Sequence, residues 1–461
     1  MVKSQATDEL CAIFVHAGAG YHSRENEVKH LKVCELAVEA GMAFLRHGGS
    51  AVNAVEMALM VLEDAPITNA GLGSNLNENG IVECDASIVD HFGRSGAVGA
   101  VPNIKNPIQL ARRIYEKACK SPGMSRVPPN LLCGEGATNF AWNNNVVVVP
   151  NDVLVSPLAA QRFRNWSHEI AEWEHENPKN ETEIRAAYLR RAQPLTPADL
   201  PSVQKHMDAA RQIGEIQDRP FRVMDDEASG GPESKIQSDG TPSADEDNGS
   251  AESPSGVPLP DSDSHNANSR YDKEDLITDT VGAIAIDKFG NIAAGSSSGG
   301  IGMKHPGRIG PAALIGVGTH VIPVDPTDET KSTVAVVASG TGEHIASTFA
   351  ASTCATRVYY SHKKAREGLF DQVNEEEAIA AMIQNEFTGH PAVVNSDIDA
   401  SLGLMVVKKT IEGIALFFAH NTESFAIGSL SSRQEKAHCV MSRNPNHAPV
   451  AQGGLMFRPR K

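Results

Sequence analysis

The chain has 461 residues, 41% hydrophobic positions and a formal net charge of −16, enough apolar content for one large core or two small ones. No apolar run approaches the roughly 18 residues of a membrane-spanning helix. No basic stripe with interleaved aromatics is present either, so neither a membrane nor a nucleic acid is the expected partner. The seven cysteines (Cys11, Cys34, Cys84, Cys119, Cys133, Cys354, Cys439) are scattered and form no CxxC pair. Free thiols in a reducing compartment are expected, not a disulfide frame or a zinc site, and no metal is expected. The first ten residues show no apolar signal region. These features together predict an intracellular protein, in the cytoplasm, the nucleus or both.

Residues 11–15 read as a short buried strand running into His16-Ala17-Gly18-Ala19-Gly20, where the glycines permit close backbone approach or unusual φ. Residues 28–47 read as a helix ended by Gly48-Gly49. Ser50 is the expected N-cap of a second helix with Val52, Val55, Leu59 and Leu62 on one face. Asn69-Ala70-Gly71-Leu72-Gly73-Ser74-Asn75 is a glycine-rich loop, and residues 81–89 read as a strand containing Cys84-Asp85-Ala86-Ser87. Residues 157–215 are polar and helix-prone, with Trp166, Ile170, Trp173, Ile184 and Tyr188 as candidate buried positions. From about 215 to 275 the chain is rich in Ser, Gly, Pro and Asp and has no apolar rhythm; such a segment cannot bury enough surface to order itself. Residues 215–279 hold 17 acidic and 5 basic residues, a net of −12, so the rest of the chain carries only −4. The acidity therefore belongs to the linker and says little about partners of the folded part.

After the linker the pattern turns at once into a strand at 280–287, a turn at 287–291, a second strand, and Ser296-Ser297-Ser298-Gly299-Gly300. Residues 333–338 read as a strand leading into Gly340-Thr341-Gly342-Glu343 and a helix to about 360. Asn374-Glu375-Glu376-Glu377 has the form of a capping box for a helix reaching 387. Residues 401–408, 413–420 and 425–430 read as closing strands. Strands flanked by helix pairs predict sheets covered by helices.

The most informative point is the junction Asp279-Thr280-Val281-Gly282. A polar linker stops there at a β-branched hydroxyl residue that opens a strand. Cleavage of the Asp279–Thr280 bond would give Thr280 a free α-amine beside its hydroxyl, a nucleophile and a base in one residue. An α-amine has an ordinary pKa of about 7.7–8.0, so part of it is neutral near pH 7 and can take the hydroxyl proton. The β-methyl restricts χ1 and so fixes the hydroxyl. Before cleavage the nitrogen is an amide and cannot act as a base, so a precursor inactive towards other substrates is expected.

The His16–Gly20 loop, Asn69–Ser74, Thr280-Val281-Gly282, Ser298-Gly299-Gly300, Gly307-Arg308-Ile309-Gly310 and Gly340-Thr341-Gly342-Glu343 follow one another in an order that resembles the type-2 asparaginase family of N-terminal-nucleophile hydrolases. The spacing from Thr280, with Ser298 at +18 and Arg308 at +28, is similar to that family too. The resemblance covers most of the chain outside the linker. It implies an α+β fold, the four-layer αββα sandwich of such hydrolases. It also implies an α subunit of residues 1–279 and a β subunit of 280–461, forming one catalytic domain as an αβ heterodimer that pairs to a heterotetramer.

The resemblance further implies site roles. Thr280 is the nucleophile, and Ser298 hydrogen-bonds its amine or hydroxyl. The Thr341 hydroxyl and the Gly342 amide stabilise the oxyanion at a predicted helix N-terminus. Arg308 is the bidentate anchor for a substrate carboxylate. Gly18 and Gly20 line the pocket or are purely structural, and Asn69–Ser74 supports the nucleophile or holds a monovalent cation. No cofactor is implied, because the amine does the proton transfer.

One departure bears on the substrate. Small-molecule members of the family carry an Asp three residues after the anchoring Arg, which pairs with the free ammonium of the substrate; here the position is Pro311. A buried unpaired ammonium is costly, whereas an Asp inside a polypeptide has no ammonium. The expectation is therefore a self-processing threonine endopeptidase that cuts at Asp279-Thr280 and then cleaves protein substrates after Asp. The alternatives are an isoaspartyl peptidase/L-asparaginase or glycosylasparaginase acting on small substrates, and a non-catalytic interaction protein with an acidic linker.

Overall fold

A computed structural model of the chain describes residues 10–120, 122–176, 280–446 and 448–459. Asp279, the acidic linker, Ile184 and Tyr188 lie outside the described residues. The architecture below belongs to the compact unit formed by residues 1–170 and 265–461; of the other unit, 171–264, only the last residues of one helix are described.

The strands in chain order are β1 (Ala12–Gly20), β2 (Glu83–Val89), β3 (Ser95–Pro102), β4 (Leu131–Cys133), β5 (Val281–Ile286), β6 (Ile292–Ser298), β7 (Thr319–Ile322), β8 (Thr333–Gly340), β9 (His362–Lys364), β10 (Phe370–Gln372), β11 (Leu402–Thr410), β12 (Gly413–His420), β13 (Ser424–Ser431), β14 (His438–Arg443) and β15 (Ala451–Phe457). They form an eight-stranded sheet in the order β14-β13-β1-β5-β6-β2-β3-β4, a five-stranded sheet in the order β15-β12-β11-β8-β7, and a small β10-β9 pair. Helices α1 (Glu27–Arg46), α2 (Ala51–Glu63) and α3 (Pro107–Ala118) cover the outer face of the larger sheet. Further along come α4 (Gly134–Asn143), α5 (Asn151–Leu154), α6 (Pro157–Glu176) and α7 (Gly342–Thr348). Helices α8 (Ala350–Tyr359) and α9 (Glu375–Ala381) cover the smaller sheet. The result is the four-layer αββα sandwich.

The period-2 alternation of each strand assigns its faces. In β5, Val281, Ala283 and Ala285 pack under α1 and α2, while Ile284 and Ile286 face the second sheet. In β8, Val334, Val336 and Ala338 pack under α8, while Ala335 and Val337 face the first sheet. Burying a side chain such as Phe14 or Ile284 between the sheets contributes about 1.5–3 kcal/mol. The same parity places Thr280, one step before β5, and Ser339, near the end of β8, in the layer between the sheets.

Several sequence expectations need adjusting. Ser50 does cap α2, accepting the Asn53 amide at 3.3 Å, and Asn374 caps α9 by accepting the Glu377 amide at 2.8 Å. The helix expected to run to 360 is broken at Phe349, whose left-handed φ of 49° separates α7 from α8. The helix from 375 widens into a π-helix over Met382–Phe387. The expected core residues Ile170 and Trp173 are 42% and 52% exposed. Here α6 lies on the surface; its Ala159 is buried, and Phe163 and Trp166 turn inward, against Gly80 and Gly302.

Candidate active site

Thr280 is buried, and its amide donates to the Ser339 hydroxyl at 3.2 Å. The same oxygen accepts the Ala19 amide at 3.0 Å. Ala19 reaches it because β1 is bulged: the register against β13 shifts between His16 and Ala19, and Gly18, at φ 105°, supplies the left-handed turn. Gly18 thus acts through the backbone path, and Gly20 offers its carbonyl to the Ser424 hydroxyl at 3.2 Å.

Gly282 pairs with His16 across β5 and β1, and a Cβ at Gly282 would lie 2.2 Å from His16 Nε2. The glycine after Val281 therefore makes room for a fully buried imidazole beside the Thr280 end of the strand. Burial pushes the His16 pKa down to about 3, with the adjacent Thr280 backbone acting the other way, so the ring is neutral at physiological pH.

Ser298 follows Ser297, which pairs with Val281, so it is set across from Thr280 at the end of the ladder. Its hydroxyl accepts the Gly300 amide at 3.0 Å. In the uncleaved chain the Thr280 amide is held by Ser339, not by Ser298. A correction concerns Thr341. Its hydroxyl donates to the Asp399 carbonyl at 2.7 Å and accepts the Ser401 amide at 3.2 Å, so it fastens the start of α7 to the 399–401 segment. The hydroxyl of this stretch that meets Thr280 sits two positions earlier, at Ser339. Gly340, at φ 140°, ends β8 between them in a conformation that favours glycine, and a Cβ there would lie 2.1 Å from the Ser401 carbonyl. The alternation of β8 could have singled out Ser339 as inward-facing; the conspicuous Gly-Thr-Gly-Glu motif drew the assignment past it.

Arg308 does reach this region. A Cβ on Gly300 would meet its Nη1 at 3.1 Å, and one on Gly342 would meet its Nη2 at 2.4 Å. The guanidinium therefore lies between the segments that carry Ser298 and Ser339, and both glycines keep it there. It makes a bidentate pair with Glu343, donating from Nε and Nη2 to Oε1 at 3.0 and 2.8 Å and from Nη2 to Oε2 at 2.9 Å. The Arg308 side chain is 15% exposed and that of Glu343 58%. A buried fork is thus holding a carboxylate from a solvated, movable arm. Gly342, the first residue of α7, packs against Arg308 and Pro311, and Pro311 is buried and opens a short 3-10 turn.

The Asn69–Ser74 loop supports the segment after Ser298. The Asn69 carbonyl accepts the Gly299 amide at 2.8 Å, and its side-chain nitrogen donates to the Gly300 carbonyl at 2.8 Å. A Cβ on Gly299 would lie 2.5 Å from Ser74 Cβ. From α6, Arg162 donates to Asn75 Oδ1 at 3.1 Å and to the Gly73 carbonyl at 3.2 Å. All seven cysteines are free thiols. Burial pushes the Cys84 thiol up to about 11, so it stays protonated. No helix among the described residues is long and apolar enough to cross a membrane.

A strand that begins at a buried threonine, between two packed sheets, with a hydroxyl on its amide and an arginine fork near by, defines an N-terminal-nucleophile hydrolase. The chain belongs to the asparaginase family, which it matches over residues 9–194 and 237–410. It is 27% identical over 354 residues to the isoaspartyl peptidase of Salmonella typhimurium, covering 76% of this chain and 79% of that one. It is 40% identical over 179 residues to the isoaspartyl peptidase/L-asparaginase of Homo sapiens, covering 38% and 55%, and 44% identical over 152 residues to that of Xenopus laevis, covering 33% and 46%. Against these two vertebrate relatives the alignment spans about half of their length.

Proposed function

We propose that the protein is a self-processing threonine endopeptidase that cuts its own Asp279-Thr280 bond and then cleaves other polypeptides after Asp. The observation that carries the reading is the pairing of a kept carboxylate anchor, Arg308, with an apolar, buried Pro311 three residues on. Such a site favours a residue with a side-chain carboxylate and no free ammonium. The chain also resembles taspase-1, the threonine aspartase, in Tyr21-His22-Ser23, in Glu83-Cys84-Asp85-Ala86-Ser87-Ile88 and in Lys304-His305-Pro306-Gly307-Arg308.

In the processed protein the Thr280 nitrogen is an amine held by Ser339. It takes the proton of its own hydroxyl as that oxygen attacks the carbonyl carbon of the substrate Asp. Because Ser339 Oγ accepts two N–H groups, its own proton is the one it can donate towards the oxyanion. The amine then protonates the departing amino group, leaving an ester on Thr280. Water hydrolyses the ester and restores the hydroxyl. Arg308 meanwhile exchanges Glu343 for the Asp side chain, so binding swaps one carboxylate for another.

A second reading rests on the names of the relatives: hydrolysis of β-aspartyl dipeptides or of asparagine. The test is intact mass and N-terminal sequencing of the purified protein beside Thr280→Ala, followed by turnover of Asp-containing peptides, a β-aspartyl dipeptide and asparagine. Fragments of 279 and 182 residues, with the smaller starting at Thr280 and the variant uncut, support the nucleophile. Cleavage of the peptides after Asp then supports the endopeptidase, whereas turnover of the small substrates alone transfers the assignment to the second reading. A stable single chain in both proteins refutes self-processing.

A further inference from the structure

We infer that Asp85 is a positioning residue for the substrate-carboxylate anchor, holding the turn that carries Arg308 in register with the nucleophile strand; this rests on the reading of Arg308 as that anchor. Asp85 is fully buried in β2 and pairs in register with Ser298 on β6. Its position is a bulge: the β2–β3 register shifts between Cys84 and Ala86. Opposite it, Ala100 takes a left-handed φ of 43°, a conformation that alanine adopts only under constraint. One carboxylate oxygen of Asp85 accepts the Ala100 amide at 2.8 Å, which satisfies the bulge. The other leaves the sheet and accepts the Gly310 amide at 2.8 Å.

That second bond belongs to a set. Glu83, two residues back on the same strand, accepts Lys304 Nζ on its carbonyl at 2.7 Å and the Gly307 amide on its carboxylate at 3.0 Å. Residues 304, 307 and 310 are thus fastened to β2, and Arg308 lies inside the fastened turn. A bulge-filling Asp needs only the Ala100 contact. The Gly310 contact connects a buried carboxylate to the backbone two residues from the guanidinium. The ideal Cβ position of Gly310 lies 2.8 Å from Arg308 Nη1 and 3.1 Å from Asp85 Oδ2, so the carboxylate also bounds the space in which the fork sits. Lys304, itself buried, faces the same carboxylate and balances its charge.

Asp85→Asn keeps the shape but can offer only one acceptor oxygen to two amides, so the Arg308 turn loosens. The readout is binding, which does not depend on turnover: calorimetry of a short peptide ending in Asp, and of the same peptide ending in Asn, on the purified protein. Wild type prefers the Asp peptide, and Asp85→Asn lowers that preference about tenfold, the scale of coupling within one hydrogen-bonded network. A merely structural aspartate would weaken both peptides alike and leave the ratio standing, which overturns the proposal. Gly310→Ala is the second variant. Its φ of −93° accepts alanine, and the methyl wedges between Asp85 and Arg308 without removing either. It lowers the ratio likewise even where Asp85→Asn does not fold, and an unchanged ratio in Gly310→Ala counts against the assignment. Wild type with no preference for Asp refutes the anchor reading itself, which distinguishes that failure from a failure of Asp85 alone.

Discussion

Ser339→Ala is the sharpest perturbation of the site. One oxygen serves two buried amides, those of Ala19 and Thr280. Its removal leaves both without an acceptor in a layer where water does not replace it. A buried N–H stripped of its partner costs about 1–3 kcal/mol. Because the two amides share one site, their losses are not simply additive, and a total of roughly 2–4 kcal/mol is expected. The stability measurement is urea unfolding with Thr280→Ala in both proteins, so that neither chain can be cut and the comparison is between intact forms. The functional measurement, with Thr280 restored, is the time course of chain cleavage followed by mass. Losing a group that orients a nucleophile–base pair slows the step by about two orders of magnitude. A Ser339→Ala protein that unfolds within about 0.5 kcal/mol of its parent, the usual range of an inconsequential surface change, and matures at the parental rate would refute the hydrogen-bonding role assigned to this hydroxyl.

Two further outcomes follow from the charges. On the proposed reading Glu343 competes with the substrate for Arg308; it is largely solvated, so its ion pair is worth at most about 1 kcal/mol. Glu343→Gln should lower KM for Asp peptides several-fold with kcat little changed; a raised KM would show that Glu343 assists binding instead. Glu63 in α2 is fully buried, accepting the Ile108 amide at 2.9 Å and the Ser297 hydroxyl at 2.7 Å, and burial pushes its pKa from 4.5 up to about 8. The native state therefore keeps a proton that the unfolded chain releases between those values, and stability falls as pH rises through that window. Glu63→Gln removes that component. Denaturation midpoints of the two proteins that run parallel from pH 5 to pH 8 would contradict it.

Much of the fold was legible because its signals are local. The β1, β5 and β8 runs are apolar and bounded by glycines, and Ser50 and Asn374 announce the helices they cap. Thr280 stands out for the same reason, since a polar stretch of sequence ends at a hydroxyl residue next to an apolar strand. What escaped was set by tertiary contact. β14 and β15 alternate weakly and are strands because β13 and β12 offer them edges. The Phe349 break comes in a stretch where no glycine or proline marks it. Trp173 has the residue type of a core position, yet α6 is covered over Ala159, Phe163 and Trp166 and leaves Trp173 52% exposed. At the site, the Gly-Thr-Gly-Glu motif pointed to Thr341 and left Ser339 unnamed, because a motif names a neighbourhood and strand parity names a face.

The charges around Arg308 bear on why an Asp, not an Asn, would be selected. Four ionisable side chains meet there: Arg308 and Lys304 carry positive charge, Asp85 and Glu343 negative. Asp85 is fixed by two amides, Lys304 by the Glu83 carbonyl, and only Glu343 is both solvated and charged. It is the one member that can leave. On the proposed reading an Asp substrate takes its place and the balance is kept. An Asn substrate would either leave Glu343 in place and find the fork occupied, or displace it and strand a largely buried cation. Leaving the guanidinium without its acceptor costs what the half-solvated pair contributes, at most about 1 kcal/mol, so the discrimination from this source is several-fold. Selectivity then arises from the fixed charges as much as from the fork, because Asp85 and Lys304 cannot rearrange to compensate. Weakening either should erode the preference for Asp before it erodes the rate at which bound substrate is cut.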